Sequence, residues 1–315
     1  MSVYPIGFSI NKSKIVNSIP NKTRLLSPLI PGNLSTYIYN NEVDYYNNYK
    51  ESYFGMTFRK GGWDCMRHYE ILACGCIPLF VDLEHCPKNI MTLLPKDIIL
   101  SSNKLYDKLK DYDSFDKIPE IDKDECNKYI NKLLDYTNKN LTNDKIANYI
   151  LNKVNLPNVK RILFLSGETK PDYLRCVTLT GFKEIFGTEC HDYPKIPHIY
   201  TDYNQEDAKK CYGKGISYTR IIDNSTHNDN YDLTIDNDIE NHNYDLIIYG
   251  SLHRGIPLWD KVNTYYKPNE IVFLCGDDWL DFNIPHQCIY DLLKNHGYTV
   301  FVRELADDNL QFNEP

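Results

Sequence analysis

Lys60 and Arg67, two carboxylates and a pair of glycines stand close together in residues 59–80, RKGGWDCMRHYEILACGCIPLF. Lys60 and Arg67 supply positive charge, Asp64 and Glu70 supply acceptor oxygens, and Gly61-Gly62 makes a flexible basic loop with Lys60. On a helix, the three-residue step from Arg67 to Glu70 places guanidinium and carboxylate on one stripe. Cations beside the N–H groups of a helix start attract phosphate, and a carboxylate one turn further in accepts from a ribose diol. The set suits a nucleotide diphosphate. The plainer alternative is a surface ion pair worth about 0.2–0.5 kcal/mol beside an ordinary turn. The combination favours a ligand site.

The flanking residues supply elements able to hold that set. Residues 54–58 read as a strand, Asp64 as an N-cap, 65–74 as a short helix stopped by Gly75, and 77–81 as a buried strand. Met66, Tyr69 and Ala73 recur at helical spacing and are expected to face a sheet, while Trp63, Arg67, Glu70 and Cys74 share another stripe. Strand, glycine turn, helix and strand make one unit of an α/β sheet.

The segment RHYEILACGCIPLF resembles the donor-binding helix and following strand of GT-B-fold glycosyltransferases of the family 1, family 4 and exostosin-like kind. The resemblance implies that Glu70 holds the ribose of a sugar nucleotide, because it occupies the Glu of an E-(A/I)-(M/L)-A-x-G-x-(I/V)-P pattern. Many retaining relatives carry a second Glu eight positions earlier. Gly62 stands there in this chain, so that contact is missing or passes to Asp64.

Composition narrows the function classes. A chain of 315 residues that is 42% hydrophobic can bury the cores of two domains. The net charge of -8, without a basic run, argues against nucleic acid as a partner. No apolar stretch approaches the ~20 residues that cross a bilayer, and the first residues lack a signal-peptide core. The ten cysteines fall mostly in apolar strands and helices, as reduced thiols do, which predicts a cytoplasmic protein. Cys65, His68, Cys74, Cys76 and Cys86 cluster without the spacing of a zinc knuckle, and Asp229, Asp232, Asp236 and Asp238 lack EF-hand spacing, so no metal site is expected.

Before the central motif, residues 4–10, 25–30 and 36–39 read as strands and 42–51 as a tyrosine-rich helix. After it, 98–100 reads as a short strand, 103–110 and 124–154 as helices, and 156–158 as a linker. Residues 1–155 would form a donor-binding domain and 159–315 a second Rossmann-like domain, the two facing a cleft in an α/β, GT-B-like fold. In the second half, strands are expected at 162–166, 189–192, 216–222, 244–249, 270–275 and 298–302. Helices are expected at 171–186, 204–212 and 284–296, and the Asn- and Asp-rich stretch 223–243 reads as a surface insertion. No G-x-G-x-x-G follows the strand at 162–166, which disfavours a dinucleotide and with it an epimerase or dehydrogenase.

In a parallel sheet, ligands gather at the strand C-termini. Three such ends are polar: Glu168, His253 with Arg254, and Asp277 with Asp278. Asp82 and Glu84 hold the same position after the strand at 77–81. The runs Asp172-Tyr173-Leu174, His191-Asp192-Tyr193-Pro194, Tyr212-Gly213-Lys214-Gly215 and 245–251 resemble the acceptor-side domain of the same transferases. Donor-type half first and acceptor-type half second is the reverse of those enzymes, which suggests a circular permutation. The resemblance implies metal-independent sugar transfer from a nucleotide-diphosphate sugar, needing no further cofactor, to a glycan, protein or lipid acceptor. Lys60 and Arg67 would face the diphosphate, and Asp277, His253 and Glu168 are the candidate bases if transfer inverts. A non-catalytic sugar- or nucleotide-binding protein on the same fold is the rival.

Overall fold

The computed structural model of the protein describes residues 2–278, 293 and 295–305. In chain order the elements are β1 (Ser2–Pro5), β2 (Arg24–Leu26), α1 (Glu42–Lys50), β3 (Ser52–Thr57), α2 (Met66–Ala73), β4 (Ile77–Phe80), α3 (Lys96–Leu109), α4 (Glu120–Asn140) and α5 (Asn143–Val154). There follow β5 (Ile162–Leu165), α6 (Tyr173–Phe186), β6 (Cys190–Tyr193), α7 (Gln205–Ala208), α8 (Asp229–Glu240), β7 (Leu246–Tyr249), α9 (Trp259–Tyr265), β8 (Ile271–Cys275) and β9 (Thr299–Val302). The strands form two parallel sheets, one of six in the order β1-β9-β8-β7-β5-β6 and one of three in the order β2-β3-β4. The fold is α/β and Rossmann-like. Among the described residues no helix is long and apolar enough to cross a membrane.

Alternation along the strands divides the large sheet into two packed faces. Ile162, Phe164, Ile248, Leu274 and Phe301 turn towards α5, α6 and the small sheet. Leu163, Leu165, Ile247, Phe273 and Val300 turn the other way, onto Ile235, Ile239 and Val262 of α8 and α9. One continuous apolar cluster runs from the three-stranded sheet to the first of these faces. The opening strand belongs to the large sheet, since β1 pairs with β9, Ser2 opposite Thr299.

Several local expectations give way to packing. Residues 98–100 lie inside α3, where Ile99, Ser102, Leu105 and Leu109 are buried at helical spacing. The stretch 223–243 contains α8, opened by Asn228 accepting from the Asn230 N–H and anchored by buried Ile235 and Ile239. Residues 216–222 are not a strand, because Ser217 and Arg220 take φ of 74° and 54°. Residues 36–39 follow a 3-10 turn, Leu34–Thr36, instead of extending. Only one helical turn, α7, forms within 204–212. The helix expected at 284–296 falls almost wholly outside the described residues.

Close approach of α5 and α6 joins the two sheets, and Gly181 permits it. A Cβ there would overlap the carbonyl of Asn143 and lie 3.1 Å from the Ala147 Cβ. Gly181→Ala is therefore expected to destabilise the protein by about 1–3 kcal/mol through overpacking, read as a lower urea midpoint. An unchanged midpoint would contradict this account of the helix contact.

Candidate functional site

A cleft of about 970 Å³ opens where the C-terminal ends of strands in both sheets meet. Lys60, Gly61, Gly62, Asp64, Arg67 and Glu70 line one wall, and His253 and Asp277 line the other. Eight of the nine residues given a donor-binding or base role from sequence thus share one cavity. The ninth, Glu168, does not line it. Its backbone carbonyl is held by Arg175 Nη1 at 2.6 Å, while its carboxylate turns outward to Lys170 Nζ at 3.0 Å.

Arg67 is the most telling side chain. Its Nη2 donates to the Tyr37 hydroxyl at 3.0 Å, but its buried Nε and Nη1 have no hydrogen-bond partner among the described residues. Glu70 does not neutralise it, for its carboxylate is occupied elsewhere: Oε2 accepts from Tyr45 at 2.6 Å and Oε1 from Ser217 at 2.5 Å. Burial raises the Glu70 pKa, opposed by those two hydrogen bonds and by Arg67. Buried guanidinium donors facing a cleft without an acceptor mark a place for an anion. Tyr37 lies beneath this cation and beneath Lys60, with ring-centroid distances of 6.0 and 5.6 Å.

The glycine loop differs from the expected phosphate cradle. A Cβ on Gly61 would overlap the Asp278 carboxylate, and one on Gly62 the Glu304 carboxylate, so both glycines make room for acids of the second half. Glu304 Oε2 accepts from the Trp63 N–H at 3.0 Å and Oε1 from the Asp64 N–H at 2.9 Å. The loop's N–H pair is thereby filled by the protein itself. Asp64 does not cap α2 either: the cap position is Cys65, and Asp64 Oδ2 accepts from the Phe8 N–H at 2.7 Å.

Arg303 closes this network. Its guanidinium pairs with Asp278 and with Glu304, at 2.7 Å for the latter, and donates to the carbonyl of Asp64 at 2.6 Å. One cation serves three carboxylates, and burial raises two of them: Asp64 to about 6 and Glu304 to about 7, each opposed by Arg303.

On the facing wall, His253 Nε2 lies 3.2 Å from Asp172 Oδ2 and 3.3 Å from Asp277 Oδ1. Burial lowers the His253 pKa, against the pull of both aspartates. Asp172 also caps α6 and accepts from the Ser251 hydroxyl at 2.6 Å, which fixes the carboxylate beside the imidazole. With Nε2 donating towards the two carboxylates, a neutral imidazole keeps the lone pair of Nδ1, 3.3 Å from the Ser251 hydroxyl, to take a proton.

Tyr37, Ser217, Arg303 and Glu304 were not picked out from sequence, and Asp172 only as part of the run Asp172-Tyr173-Leu174. Arg303-Glu304 directly follows β9, a strand-end position that could have drawn attention to it. Ser217 gave no such signal, because only its left-handed backbone turns it to Glu70. In the cysteine–histidine cluster both ring nitrogens of His68 are engaged within the protein: Nε2 meets the Trp63 carbonyl at 2.9 Å and Nδ1 meets Thr57 Oγ1 at 2.9 Å. Asp82 and Glu84 lie outside the main cleft and are exposed. Set against protein-family models, curated proteins and solved structures, the chain gives no match.

The carboxylate cluster has a pH signature. Unfolded, Asp64 and Glu304 release protons near 3.8 and 4.5; folded, they keep them to about 6 and 7. The folded state binds more protons in that window, so this contribution to stability falls as pH rises through it. The melting temperature is expected to drop between about pH 4 and about pH 7, and to drop less in Glu304→Gln. Equal slopes for the two proteins would contradict the assignment.

Proposed function

We propose that the protein is a glycosyltransferase that binds a nucleotide-diphosphate sugar in this cleft and passes the sugar to an acceptor hydroxyl. The observation that carries the reading is Arg67, a cleft-lining guanidinium whose Nε and Nη1 lack an acceptor among the described residues. Arg67 and Lys60 would face the diphosphate and offset charge developing on the leaving group. His253, held by Asp172 and Asp277, would take the acceptor proton. Glu70 would meet the ribose through the acceptor capacity left beside Tyr45 and Ser217.

We further infer a GT-B-like pair of domains with the donor-type half leading. Adjacency of β1 and β9 bears on a circular permutation, although the strands run parallel, so a direct join would have to pass back along their length.

The rival reading, a binding protein without turnover, is favoured by one observation: Glu304 already fills the loop's N–H pair. Turnover separates the two. Incubated with a panel of UDP- and GDP-sugars, the protein is expected to stabilise with at least one and to release its nucleoside diphosphate, even by slow hydrolysis. His253→Gln should lower that rate about 10²–10⁴-fold with little change in affinity. Stabilisation without release would support the binding protein, and neither effect would remove the nucleotide reading.

A further inference from the structure

Away from the cleft lining, at the β6 edge of the large sheet, two histidines and three aspartates form a connected group in which one buried nitrogen is left over. His227 is 9% exposed. Its Nδ1 lies 2.8 Å from Asp192 Oδ1, which also receives Lys183 Nζ at 2.8 Å and the Tyr200 hydroxyl at 2.7 Å. A carboxylate so held is an acceptor, so His227 donates through Nδ1 and, as neutral imidazole, presents the lone pair of Nε2. Nε2 has no hydrogen-bond partner among the described residues. It faces Asp229 Oδ1 at 3.4 Å and Asp232 Oδ2 at 3.6 Å.

A lone pair aimed at two carboxylate oxygens is repulsive unless a cation lies between them. A protonated Nε2 would supply one, but charge-assisted N–H···O bonds close to about 2.7–2.9 Å, and both contacts here are longer. Metal–nitrogen and metal–oxygen bonds of about 2.1 Å at tetrahedral angles separate the ligand atoms by about 3.4 Å, close to the spacing found. All three donor atoms lie within 4.8 Å of one another. We propose that His227, Asp229 and Asp232 bind one divalent transition-metal ion of the zinc type.

The surroundings are those of a ligand set. Asp192 orients His227, and His191 orients Asp232, with Nε2 at 2.7 Å from Oδ1 and Nδ1 at 2.7 Å from the Tyr244 hydroxyl. The nitrogen donor selects zinc-type ions over calcium or magnesium. Asp229 is exposed, which leaves a side open for water as a further ligand. Bound there, the ion would clip the start of α8 to the sheet edge. The spacing His-x-Asp-x-x-Asp is visible in the chain, but the acidic run draws notice without the histidine that precedes it.

The test uses the full chain, stripped with a chelator and titrated with Zn²⁺ in a calorimeter, with Co²⁺ as a spectroscopic probe. Wild type is expected to bind one Zn²⁺ and to melt higher with it, and the Co²⁺ complex to lack a thiolate charge-transfer band. Asp229→Asn, an exposed change that leaves the core intact, is expected to weaken Zn²⁺ binding at least about tenfold. No binding, equal binding by Asp229→Asn, or a thiolate band pointing to the cysteines would each overturn the assignment.

Discussion

One buried guanidinium, that of Arg303, decides where the walls of the cleft stand. It joins the carbonyl of Asp64 to the carbonyl of Gly276, at 2.6 and 2.9 Å, and so ties the loop before α2 to the end of β8. Removing such a cation would leave the buried carboxylates of Asp64 and Glu304 side by side without it, a cost of several kcal/mol by the usual penalty for uncompensated buried charge. The three acids, the two glycines that admit them and the entrance to α2 are therefore one unit. Arg67 and Glu70 inherit their positions from it.

Against that satisfied network, Arg67 stands out. Arg303 has each of its nitrogens engaged, whereas among the described residues Arg67 has only Nη2 bonded. The contrast separates a cation that builds the fold from one held ready for a ligand. On the facing wall all three of Asp172, His253 and Asp277 reach the cavity, and Asp172 alone is also committed to capping α6 and to Ser251.

Much of the α/β pattern was legible because its signals are local. Apolar runs at 162–166, 244–249 and 270–275 gave strands within a residue or so, and the strand–glycine–helix–strand unit around Arg67 is present. Eight of nine candidate residues line the cleft, since strand C-termini converge in any parallel sheet. The failures have equally physical causes. Gly61 and Gly62 looked like a phosphate loop, yet they accommodate Asp278 and Glu304 from more than two hundred residues away. Ser217 depends on a positive φ, and α3 depends on burial that the β-branched run at 98–99 does not announce.

The most direct test of the central claim is to follow the ¹⁵Nε–¹Hε resonance of Arg67 while adding UDP or GDP and, separately, the parent nucleosides. If the guanidinium receives a diphosphate, the Arg67 signal shifts and its solvent exchange slows with the diphosphates but not with uridine or guanosine. An Arg67 signal that stays put while either diphosphate binds would contradict the account.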